Sequence, residues 1–70
     1  MIKFTCIDSQ HADIAAKQLT EHGRSCVVLA RTVLANGDYD NFTAKVQHDA
    51  MAYTETPTDY DIYSLKSASK

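Results

Sequence analysis

Residues 25–47 read Ser-Cys-Val-Val-Leu-Ala-Arg-Thr-Val-Leu-Ala-Asn-Gly-Asp-Tyr-Asp-Asn-Phe-Thr-Ala-Lys-Val-Gln, and how this stretch folds back decides the fold of the 70-residue chain. From Ser25 to Leu34 it is the most apolar run in the sequence. β-Branched residues stand at successive positions and apolar side chains fall on both faces of an extended strand, as in the centre of a sheet. Asn36-Gly37 follows, and both residues tolerate the positive φ that a two-residue type I′ hairpin needs at its two central positions. The pattern predicts a strand over Ser25–Leu34, a turn at Asn36-Gly37 and a returning strand over Tyr39–Gln47. Val33 then pairs with Asp40, Arg31 with Phe42, Leu29 with Ala44 and Val27 with Val46. That register gathers Val27, Leu29, Phe42, Ala44 and Val46 on one face, with the stem of Arg31 packed over its end.

Upstream, Ile2, Phe4 and Cys6 alternate with Lys3 and Thr5, the period of a half-buried strand. Asp8 and Ser9 are helix-capping residue types. A helix over Gln10–His22 places Ala12, Ala15, Ala16 and Leu19 on one face with Ile14 at its flank, and Gly23 stands where a C-cap belongs. Downstream, Asp49 is expected to cap a short helical turn through Tyr53. Pro57 interrupts a loop over Thr54–Asp59, and Tyr60–Leu65 reads as a short edge strand. The expected architecture is a single small α+β domain over residues 1–66, with a frayed tail over 67–70. Its order is β-α-β-β, with Tyr60–Leu65 as an optional fourth strand. One helix packs on a three- to four-stranded mixed sheet whose first two strands run parallel. The second sheet face, with Val28, Ala30, Leu34 and Tyr39, is left for the C-terminal segment or a partner to cover.

Composition narrows the function. Hydrophobic residues make up 44% and charged residues 23% of the chain, a globular balance rather than a disordered one. The net charge of −2 supplies no global field for nucleic acid or anionic lipid. No apolar segment approaches the ~18 residues needed to cross a bilayer. Met1 leads straight into the first strand with no secretory leader, so a cytoplasmic location with reduced thiols is expected.

Chemistry-bearing residues are few. His11 and His22 sit at opposite ends of one helix, roughly 16 Å apart at 1.5 Å per residue, and cannot share a metal within one chain. Cys6 ends one strand and Cys26 begins a strand parallel to it, too far apart for a disulfide. Both are expected as small buried hydrophobes. Gly23 and Gly37 are the only glycines, so no phosphate-binding loop exists. No Ser-His-Asp arrangement stands out, and neither a catalytic residue, a metal site nor a cofactor is expected.

What remains is a surface. Residues 36–70 hold six acids against Lys45, Lys66 and Lys70, and they hold all four tyrosines. Tyrosine offers a large contact area at low entropic cost, and neighbouring carboxylates suit a basic partner. Asp38, Tyr39, Asp40, Tyr53, Glu55, Asp59, Tyr60, Asp61 and Tyr63 are therefore the candidate partner-binding residues. The competing view is a solvated face whose tyrosines are half-packed on the core. The functional expectation is a non-enzymatic protein-binding module, of the inhibitor or adaptor type that phages and mobile elements encode compactly. It would meet a larger, basic protein through this surface or through a sheet edge. The alternatives are a structural homo-oligomer that buries its open sheet face, and a nucleic-acid mimic that occupies a basic groove. Direct nucleic-acid binding is not expected, because the open face offers only Tyr39 and Lys45.

Overall fold

The computed structural model describes residues 1–68, ordered as β1 (Ile2–Thr5), α1 (Ser9–Glu21), β2 (Cys26–Leu29), β3 (Thr32–Ala35), α2 (Asn41–Asp49), β4 (Tyr53–Glu55) and α3 (Asp59–Ala68). The four strands lie in the order β2-β3-β1-β4. Every neighbouring pair is antiparallel, so the expected mixed sheet is corrected to an antiparallel one. Strands β1 and β2 do run parallel to each other, with β3 inserted between them in a split β-α-β arrangement.

The first third of the chain follows its pattern. Ile2, Phe4 and Cys6 are buried and face the core. Asp8 caps α1 by accepting from the His11 amide at 2.8 Å. Ala12, Ala15 and Leu19 lie fully buried against the sheet. At the far end Gly23 adopts φ +85°. Its amide donates to Thr20 O at 3.0 Å, and that of Arg24 donates to Leu19 O at 2.9 Å, the two bonds of a Schellman ending.

The central stretch folds differently from its reading. The chain turns at Ala30-Arg31, with Ala30 at φ +53°, and not at Asn36-Gly37. β2 and β3 are the two arms of this hairpin, in the register Cys26–Ala35, Val27–Leu34, Val28–Val33 and Leu29–Thr32. Arg31 sits exposed in the turn, where its carbonyl accepts from the Cys6 amide at 2.8 Å. The predicted return strand Tyr39–Gln47 is instead helix α2. Asp40 accepts from the Thr43 amide at 2.9 Å, and the Thr43 hydroxyl accepts from the Asp40 amide at 2.6 Å. This reciprocal capping box commits the segment to a helix. Asn36 is held in place by Ser25: its amide donates to Ser25 O at 3.0 Å, and its side-chain oxygen accepts from the Ser25 amide at 2.9 Å.

Two further corrections follow downstream. Asp49 ends α2 rather than starting a turn. Met51 takes φ +50°, with its amide on His48 O and that of Ala52 on Gln47 O, a second Schellman ending without glycine. The fourth strand is Tyr53–Glu55, and the segment expected as an edge strand, Tyr60–Leu65, belongs to helix α3. Thr58 and Asp61 form its start: the Asp61 carboxylate accepts from the Thr58 amide and hydroxyl, and the Thr58 hydroxyl accepts from the Asp61 amide. Of the tail expected over 67–70, residues 67–68 continue α3 and 69–70 lie outside the described residues.

These changes redistribute the faces. Helices α1 and α2, not one helix, cover the face carrying Ile2, Phe4, Val33 and Ala35; Thr43, Val46 and Ala50 join that core from α2. Val27 and Leu29, expected beneath the helix, point to the opposite face, as does Leu34. The C-terminal segment lies over part of that second face. Ile62 of α3 stands over Val27, Leu34 and Met1, and Leu34 is only 5% exposed. No helix among the described residues is long and apolar enough to cross a membrane.

Candidate interaction surface

Arg24 organises the loop that presents the first two candidate residues. It follows the end of α1, with its side chain 13% exposed. Its Nη1 donates to the carbonyls of Asn36 and Asp38, each at 3.2 Å, and its Nη2 to Asp40 Oδ2 at 2.6 Å. Gly37 lies against this guanidinium so closely that a Cβ there would fall 2.8 Å from Nη1. The Asn36-Gly37 pair thus serves as turn chemistry in a different use, wrapping the largely buried Arg24 side chain rather than closing a hairpin. Asp40 serves this clip and caps α2. The Thr43 amide, then the Arg24 charge, hold its carboxyl below the ordinary range.

Tyr39 projects from this loop and donates its hydroxyl to Gln47 Oε1 at 2.8 Å, an atom that also accepts from Thr54 at 3.3 Å. The loop, α2 and β4 are joined by that one amide. Asp38, Tyr39 and Glu55 line an open hollow of about 320 Å³ with Met1, Ile2 and Thr54. In the β1–β4 ladder Tyr53 stands opposite Thr5 and Glu55 opposite Lys3. Lys3, 17% exposed at its side chain, bridges Glu55 at 3.0 Å and Asp61 at 3.3 Å, tying β1 to β4 and to α3. Glu55, with Asp61 adding, lifts the Lys3 amine above its ordinary pKa. The Thr58 hydroxyl and amide, with Lys3 adding, hold Asp61 low.

The nine candidates therefore separate by role. Asp40, Glu55 and Asp61 are engaged in ion pairs, and two of these three also start helices. Asp38 and Asp59 form no ion pair among the described residues. The tyrosines are not half-packed on the core: Tyr39, Tyr53, Tyr60 and Tyr63 are 55%, 65%, 79% and 74% exposed. Tyr39, Tyr53 and Glu55 flank β4, while Tyr60 stands beside Lys3 and Asp61 on α3. Asp59 and Tyr63 are one helical turn apart on α3 and exposed, outside both hollows. The spacings Asp40-x-x-Thr43 and Thr58-x-x-Asp61 were the signals that mark Asp40 and Asp61 as helix starts.

Elsewhere the cysteines and His22 make contacts within the fold. Both cysteines are free; Cys6 is buried, and burial followed by the nearby Asp8 charge pushes its thiol up. The Cys26 thiol lies 3.5 Å from Thr20 Oγ1. The His22 ring stacks on Phe42 at 3.7 Å, joining α1 to α2. Among the described residues no cluster of three His, Cys, Asp or Glu side chains could hold a metal ion. Comparison with known proteins finds no matching family model, no matching curated protein and no matching solved structure.

Proposed function

We propose that this chain is a non-enzymatic protein-binding module that engages a larger partner through the surface around β4. The observation that supports it is the exposure of all four tyrosines, none less than 55% exposed, around a three-residue edge strand. Large aromatic side chains kept in water are enriched in contact surfaces and rare as mere solubilising groups. Among the described residues β4 has β1 as its only strand neighbour, so its outer side is open to the side chains of a partner. The acidic surface and the sheet edge, separate options in the sequence, coincide here, with Tyr53 and Glu55 in the strand itself. Asp38 and Asp59 supply charge toward a basic partner, in the manner of an inhibitor or adaptor. Two unpaired acids are a poor imitation of a phosphate backbone, so a nucleic-acid mimic is disfavoured.

The test is capture of partners from lysate on immobilised protein, at low and at high salt, with mass spectrometry of what is retained. A stoichiometric protein partner whose retention falls as salt rises is expected. Absence of any stoichiometric partner at either salt contradicts the proposal. Charge reversal belongs at Asp38 and Asp59, because Asp61 is needed to start α3.

A further inference from the structure

The sheet has two edges, and they are built differently. β4 is three residues long, carries Glu55 and is followed closely by Pro57, devices that blunt an edge against pairing. β2 is Cys26-Val27-Val28-Leu29, without charge or proline and in unbroken register with β3. Val27 and Val28 are 46% and 37% exposed. We infer that the outer edge of β2 pairs with β2 of a second copy of this chain, joining two four-stranded sheets edge to edge.

The backbone is set for it. Leu29 and Thr32 close the two-residue loop, and the Asn36 amide bonds Ser25 O, so Ser25, Val27 and Leu29 are the residues bonded to β3. The N–H and C=O groups of Cys26 and Val28 therefore point outward. A twofold axis at Val27 sets Cys26 opposite Val28 of the second copy, and an antiparallel ladder uses these outward groups.

The second copy is favoured as occupant by charge and shape. The strand meets itself with no like charges opposed. On one face, Thr20 lies 3.5 Å from the Cys26 thiol, which places the helical row Asp13–Lys17–Thr20 above the β2 edge. Asp13 and Lys17 are exposed, and the twofold runs the two α1 helices antiparallel, carrying Asp13 of one copy toward Lys17 of the other. On the other face, Val27 borders an apolar hollow of about 190 Å³ with Met1, Leu34 and Ile62, and the twofold brings the two hollows together. These flanks extend the contact toward the ~1,000 Å² that a specific dimer needs, beyond what two short strands supply. The β4 surfaces are left at the two far ends, so this inference stands independently of the binding proposal.

Sedimentation equilibrium from micromolar to millimolar concentration tests it. The mass is expected to rise from 7.8 kDa toward twice that value. Val28→Pro removes an outward N–H and no bond to β3, at a position where edge strands accept proline, and trades one partly exposed apolar side chain for another. It should keep the far-UV circular dichroism of the fold while weakening association on the order of 100-fold. Asp13→Lys should weaken it about 3-fold or more, and Asp13→Lys with Lys17→Asp should restore it. On the wild type, amide exchange at Cys26 and Val28 should slow as concentration rises. A mass of 7.8 kDa throughout, a dimer that survives Val28→Pro, or a dimer whose Cys26 and Val28 amides stay unprotected overturns the inference.

Discussion

Replacing Thr43 by valine and by serine separates the two things this side chain does. Thr43 is fully buried, and its hydroxyl accepts from the Asp40 amide at 2.6 Å and donates to the Asp40 carbonyl at 2.8 Å. Valine keeps the shape and the apolar burial but deletes both bonds, leaving the half-buried Asp40 amide without its partner. At about 1 kcal/mol for each net bond, Thr43→Val should cost about 2 kcal/mol. Serine keeps the hydroxyl and loses one buried methyl, about 1 kcal/mol including the small void. In a domain this small 1 kcal/mol moves Tm by about 4–8 °C, so about 8–16 °C is expected for valine and about half that for serine. Thermal unfolding followed by circular dichroism reads both. If serine proves the more damaging, Thr43 acts through packing alone, and the capping box is not what turns residues 41–49 into a helix.

Gly37→Ala should destabilise more than Gly23→Ala by thermal melting. Both glycines have positive φ, but only at Gly37 would the added Cβ strike Arg24, so about 2 kcal/mol is expected against about 1. Ala30 and Met51 occupy the same backbone region without being glycine, and Met51 is 60% exposed; Met51→Gly should therefore raise stability by about 0.5–1 kcal/mol. Stability should fall in acid, because Asp8, Asp40 and Asp61 all have folded pKa values below their unfolded ones. Their contribution is complete above the unfolded value near 3.8 and is lost as pH falls through the lower folded values. Asp40→Asn should shrink that acid loss in a Tm-against-pH series. Lys3 has the opposite sign: its raised pKa stabilises below the unfolded value near 10.5, and the gain disappears as pH rises through the folded value.

The β1-α1 unit was legible because local signals there agree: strict alternation from Ile2 to Cys6, a capping aspartate, an alanine face and a glycine stop. Residues 25–47 misled because two periods coexist. Phe42, Ala44 and Val46 alternate as a strand would, while Phe42, Val46 and Ala50 repeat every four residues as a helix does, and the capping box chooses the second. The Ala30-Arg31 turn carries no glycine or asparagine, so no composition marks it. The role of Asn36-Gly37 depends on Arg24, a contact that exists only once α1 and β3 are side by side. The candidate surface was half legible for a related reason. The tyrosines do stand in solvent, but Asp40 and Asp61 look like free surface charge until the helices they start are recognised.

The proposed function is tested most directly by comparing capture from lysate on wild type, on Val28→Pro, and on the triple variant Tyr53→Ser, Tyr60→Ser, Tyr63→Ser, all shown to be folded. The tyrosines are exposed and outside the core, so their removal should leave the fold intact. Loss of the stoichiometric partner from the triple variant, with retention on Val28→Pro, is the outcome that the β4 surface predicts. A partner held equally by the triple variant and the wild type would contradict it.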